Sequence, residues 1–135
     1  MSVKLRLQRL GRKKRPFYRI VAIDSKKRRD GLEIERLGWY DPIIKDSLSI
    51  NIDEEKIKAW INKGAILSDT MKSLMKKIGL SYKWDLEASG LKEDEISQKM
   101  SDWEEKQKNK IELLKKKKEN KKAQKQKELE KSARE

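Results

Sequence analysis

No cysteine and no histidine occur anywhere in the 135 residues. Disulfides are therefore excluded, and so are zinc centres of the Cys/His kind and imidazole acid–base chemistry. An intracellular, reducing compartment fits a chain without thiols. Proline occurs twice, glycine six times and phenylalanine once. No apolar run approaches the roughly 18 residues that a membrane helix needs. A strand pattern begins at Val3, leaving no room for a signal sequence, so a cytoplasmic protein is expected. Apolar residues make up only 35% of the chain against 44% charged, too few for one compact core over the whole length.

What the chain has instead is positive charge, concentrated at one end. Residues 1–29 hold Lys4, Arg6, Arg9, Arg12, Lys13, Lys14, Arg15, Arg19, Lys26, Lys27, Arg28 and Arg29 against a single acid, Asp24. That is +11 of a whole-chain +13. A small unit with so much like charge repels itself unless a polyanion faces it, and phosphate backbone is the natural one. Neutralising ~6–10 phosphates would tie affinity steeply to salt, by ~10³–10⁵ between 50 and 200 mM.

The same segment reads as folded. Val3, Leu5 and Leu7 alternate with Lys4, Arg6 and Gln8, which predicts a half-buried strand with a cationic outer face. A basic connection, Arg12 to Arg15, leads through Pro16 into a second strand, Phe17 to Ile23. Asp24 to Gly31 reads as a polar, basic loop, Leu32 to Tyr40 as a third strand and Leu48 to Ile52 as a fourth. Arg19 interrupts an apolar strand, so it either lies on an exposed face or pairs with Glu33 or Glu35. Phe17, Tyr18, Trp39 and Tyr40 are suited to stacking on bases, but a core this small needs most of them for packing.

The period then changes. Ile57, Trp60 and Ile61 lie on one face of a helix that Asp53 to Glu55 would start and Lys63-Gly64 would end. Ser68 caps a second helix with a stripe of Met71, Leu74, Met75 and Ile78. The expected fold is α+β: a small twisted sheet of three to four or more strands covered by two short helices. A domain over residues 1–85 would bind RNA, and residues 86–135 would form a charged extension, helical in part or disordered. That extension carries fifteen basic and twelve acidic residues. Its stripe of Ile96, Met100, Trp103, Gln107, Lys110 and Leu114 follows a heptad but is partly polar.

Asp24, Asp30, Glu33, Glu35 and Asp41 are the acids from which a Mg²⁺-dependent nuclease would be built, yet their spacing matches no metal motif. Phosphate-loop, nucleophile-elbow and dinucleotide fingerprints are missing as well. No enzyme, no cofactor, no metal and no small-molecule substrate are expected.

The segments Val3-Lys4-Leu5-Arg6-Leu7, Gly11 to Val21, Asp24-Ser25, Arg29-Asp30-Gly31, Ile34-Glu35, Gly38, Tyr40 and Pro42 closely resemble the bacterial-type ribosomal protein S16 family of the small subunit. Trp60, Gly64-Ala65, Ser68-Asp69 and Leu74 extend the resemblance to about residue 80. It implies a structural constituent of the small ribosomal subunit. Such a protein binds and stabilises folded ribosomal RNA of the five-prime body region during assembly, beside neighbouring ribosomal proteins, in a bacterial or an organelle ribosome. It points to Arg6, Arg9, Arg12, Lys13, Lys14, Arg15, Arg19 and Arg29, with the loop Lys26 to Arg28, as RNA contacts. Lys26 stands where many relatives carry Arg, and Leu32-Glu33 where they carry a basic–aromatic pair. The alternative from another class is a free RNA-binding chaperone that acts transiently in assembly.

Overall fold

The structure, a computed structural model, describes residues 2–44 and 49–133. The chain divides between Ile78 and Gly79 into two compact units. Met1–Ile78 is built on a curled five-stranded sheet, in the order β4-β3-β2-β1-β5. Its centre is an antiparallel hairpin of β1 (Val3–Arg12) and β2 (Arg15–Asp24), paired without a slip from Val3 opposite Asp24 to Arg12 opposite Arg15. Only Lys13 and Lys14 remain for the turn, shorter than the basic connection expected. Lys14 closes it in the left-handed region (φ 66°). Gly11 has φ +87° and lies so close to the Arg15 carbonyl that a Cβ would collide with it, so the crossing demands glycine.

β3 (Glu35–Tyr40) pairs with β2 through a bulge: Ile20 faces Gly38 and Val21 faces Arg36, leaving Leu37 extra and buried. Its other edge takes β4 (Ile50–Ile52). The expected fourth strand is thus present over these residues, while Leu48 lies outside the described residues. A Cβ at Gly38 would collide with the Asn51 carbonyl, so this pair of strands closes only around a glycine. The fifth strand, β5 (Ile66–Leu67), had no sequence signal of its own. It pairs parallel to β1 for two residues, and the Ser68 amide continues the ladder by donating to the Leu5 carbonyl at 3.0 Å.

The two helices of this unit follow their caps. The Asp53 carboxylate accepts from the Lys56 amide at the start of α1 (Glu54–Asn62), and the Ser68 hydroxyl accepts from the Met71 amide at the start of α2 (Asp69–Ile78). Ile57, Met71, Leu74 and Met75 are buried, together with Leu5, Ile20, Val21, Ala22, Ile23 and Leu37 from the sheet. Ile78, the last member of the expected stripe, is exposed.

Gly79–Glu135 contains α3 (Leu80–Ala88) and α4 (Glu93–Ser132), a 40-residue helix. Tyr82 and Trp103 stack between them with ring centroids 6.4 Å apart. Of the expected heptad stripe, Ile96, Met100, Trp103 and Gln107 are half-buried, and Lys110 and Leu114 are exposed.

Candidate nucleic-acid interface

Ten-residue strands separate the two basic loops of the hairpin by about 30 Å. The Lys13-Lys14 turn stands at one end. At the other, the Ser25 amide donates to the Ser2 carbonyl, and Lys26 to Arg29 project beside the chain start. The two basic loops thus stand at opposite ends of the hairpin.

The outer face of β1 differs from the open cationic strip expected of it. The loop after β2 folds back over it: Arg6 Nη2 donates to the carbonyls of Lys27 and Arg28, both at 2.7 Å. Gln8 Nε2 donates to the Gly31 carbonyl at 2.8 Å, and Gln8 is buried rather than exposed. The Arg9 amide donates to Asp30 Oδ1 at 3.2 Å. Arg6 thus spends its Nη2 donors on fixing the basic loop, its Nε is buried without a partner, and among the described residues no acid pairs with it. Arg29 and Asp30 form a two-bond pair that holds the Asp30 carboxyl below, and the Arg29 guanidinium above, its ordinary value. Arg28, Arg29, Asp30 and Gly31 line an open depression at this end.

Among the twelve cations of residues 1–29, two form ion pairs. One is Arg29 with Asp30; the other is Arg15, whose Nη2 reaches the buried Asp41 carboxylate at 3.4 Å. Asp41 also accepts from the Ile43 amide, so Arg15 is partly a structural residue. Lys4, Arg6, Arg9, Arg12, Lys13, Lys14, Arg19, Lys26, Lys27 and Arg28 form no ion pair among the described residues. Arg19, half-buried in β2, pairs with neither expected acid. Glu33 accepts from Arg36 Nε at 2.7 Å, which is the main reason its carboxyl is held low, with Arg19 adding a weaker pull. Glu35 accepts from Trp60 Nε1 at 2.7 Å and faces Lys56.

The acids that a nuclease would need are thus occupied singly. Asp24 accepts from the Lys26 amide, and among the described residues no three acidic side chains gather as a metal site.

The aromatics do neither of the two things expected of them in pure form. Phe17 stacks on Trp39 at 5.9 Å and Tyr18 on Tyr40 at 6.1 Å, with all four half-buried at the hairpin's turn end. They pack on one another across strands and still present edges to solvent. Lys77 Nζ lies 5.9 Å from the Tyr40 ring, a cation that sequence reasoning had treated only as a helix-closing charge.

Fold and charge together define a small α+β protein whose central hairpin carries cations most of which form no ion pair among the described residues. Comparison with known proteins narrows this. The family pattern described as Ribosomal protein S16 matches residues 9–68. The small ribosomal subunit protein bS16 of Thermosipho africanus is 54% identical over 83 residues, covering 62% of this chain and 87% of the relative. The bS16 of Borreliella burgdorferi is 54% identical over 83 residues, 95% of its length, and that of Clostridium botulinum 51% identical over 83 residues, all of its length. The chain belongs to the ribosomal protein S16 family, a family of structural ribosomal components and not of enzymes. The family match ends at residue 68, so α4 lies outside it.

Proposed function

We propose that this chain is a structural constituent of the small ribosomal subunit that binds and stabilises folded small-subunit ribosomal RNA, working in the cytoplasm or within an organelle beside neighbouring ribosomal proteins. The observation that carries the reading is the hairpin of β1 and β2 with its two basic loops, where ten of twelve cations form no ion pair among the described residues. RNA segments repel one another unless cations intervene, and mobile ions must be condensed each time they do so. A hairpin locked by ten-residue ladders supplies those cations already in place. Lys13 and Lys14 at the turn, with Arg12 beside them, address one backbone; Lys26, Lys27 and Arg28 address a second about 30 Å away. Arg6 and Asp30 hold that second loop to β1. Arginine among these residues adds bidentate phosphate bonds and stacking on unpaired bases.

The test is sucrose-gradient sedimentation of the chain with ribosomes from its own cell. Near-stoichiometric migration with the small subunit after a moderate salt wash is expected. A variant with Arg12, Lys13 and Lys14 changed to Ala should stay folded and bind purified small-subunit RNA with a salt slope lower by about three, one per lost contact. Arg15 is left in place because Asp41 depends on it. Migration at the top of the gradient, or an unchanged slope, would sink the reading.

A further inference from the structure

The near-neutral extension conceals two opposite halves. Residues 93–105 hold six acids and one lysine, a net −5; residues 106–127 hold eleven lysines against Glu112 and Glu119, a net +9. The acidic half is the one held by packing. Trp103 stacks on Tyr82 and lies against Gly79, where an added Cβ would meet its ring at 2.7 Å. From Lys108 to Ala133 every residue is exposed. None of the eleven lysines forms an ion pair among the described residues.

A helix that served only solubility would alternate Glu with Lys at i,i+4, which stabilises it. This segment carries only Glu112 and Glu119 against eleven lysines and accepts self-repulsion. Seven of its eleven lysines fall in two rows, and Lys116, Lys118, Lys125 and Lys127 lie on the flanks between them. At 100° per residue, Lys106, Lys110, Lys117 and Lys121 lie within a sector about 60° wide. Lys108, Lys115 and Lys122 repeat every seven residues within about 40°, on the side roughly 150° away. Two cationic rows on opposite sides of a rod about 33 Å long match two polyanions, one on each side.

We propose that the distal half of α4 is a second RNA-binding element, which lies between two RNA segments with one phosphate backbone against each lysine row. A second copy of this chain is the weaker occupant: in parallel +9 would face +9, and antiparallel the −5 half would offset only part of +9, whereas phosphate can neutralise all of it. The acidic half confines the contact to Lys106–Lys127, because six acids would be repelled by phosphate. The contact is independent of the hairpin and lies beyond the residues that the family pattern matches.

The test uses the full chain carrying the Arg12, Lys13 and Lys14 to Ala changes, with two 20-base-pair RNA duplexes bearing donor and acceptor dyes. This protein should bring the duplexes together, giving energy transfer. Two row variants follow, K108Q/K115Q/K122Q and K106Q/K110Q/K117Q/K121Q; Gln keeps the helix, which far-ultraviolet circular dichroism checks. Each should still bind one duplex, with salt slopes lower by about three and four, and each should lose the transfer. Arg in place of Gln should restore it. The proposal is overturned if either row variant keeps the transfer, if the slopes do not fall, or if the chain sediments as a dimer without RNA. Failure here leaves the gradient test of the hairpin untouched, so the two readings fall separately.

Discussion

The hairpin and α4 both concentrate cations, and they mount them in opposite ways. On the hairpin, charge is held by tertiary structure: Arg6 is tied to two carbonyls, Arg29 to Asp30, and every strand residue has a register partner. On the distal half of α4, charge is held by helix propensity alone, with lysines on four-carbon stems and no packing beneath them. The first arrangement can match one RNA shape and loses affinity if the fold shifts. The second tolerates many shapes and depends only on remaining helical. Acid in the first turn, at Glu93, Asp94 and Glu95, opposes the helix dipole and helps it do so.

The largest effect that separates them is a change that damages one fold without touching any charge. Gly38→Ala places a Cβ on the Asn51 carbonyl and forces β3 and β4 apart. Overpacking of this kind costs about 2–3 kcal/mol. Amide exchange in β1 and β2 should accelerate about 30- to 150-fold, the same energy expressed as an opening constant. Exchange in α4 should not change. Equal acceleration in both would show that α4 draws its stability from the sheet, and the contrast between the two regions would fail.

Much of the first unit was legible because its signals are local. The strand starting at Val3, the Asp53 and Ser68 caps and the Met71, Leu74, Met75 stripe each reflect chemistry within a few residues. What escaped is long-range. Gln8 is buried because a loop more than twenty residues away closes over it, and Arg6 turns its donors to that same loop. β5 is two residues long, too short for any period to show. In the extension, averaging hid the −5 and +9 halves, since a net charge carries no positional information. The cationic hairpin itself was legible down to single residues; which of its cations are already engaged was not.

A smaller effect sharpens the comparison at one residue type. Lys14 sits at φ 66°, a conformation that costs a side-chain-bearing residue about 1–2 kcal/mol. Lys14→Gly relieves that strain against a glycine entropy cost of about 0.5–1 kcal/mol, so stability should rise by about 0.5 kcal/mol. Lys117→Gly removes the same charge from the middle of α4 and should weaken the helix by about 1 kcal/mol. Each should lower the salt slope of RNA binding by about one. Thermal melts and binding isotherms together decide it. A loss of stability in Lys14→Gly would mean that the turn's conformation is not strained.

The smallest contrast lies in protons. The loop at the far end of the hairpin is braced by a carboxylate, Asp30, held below its ordinary value chiefly by its hydrogen bonds with Arg29, while among the described residues the lysines of the distal half of α4 form no ion pair. A carboxyl whose value is lowered on folding contributes stability that is fully present above its unfolded value, near 3.9, and is lost as pH falls through the folded one. Between pH 8 and 5.5, then, neither Asp30 nor Glu33, which Arg36 lowers in the same way, changes its charge. With no histidine in the chain, the loop should keep its geometry across that range. Below about pH 4 the Asp30 brace should release the Arg9 amide, the only backbone group of β1 that it holds among the described residues. Carboxyl NMR should show Asp30 titrating below the ordinary aspartate value in the intact chain and moving back toward it in Arg29→Gln. An Asp30 that already titrates at the ordinary value would mean that its pair with Arg29 does not form in solution.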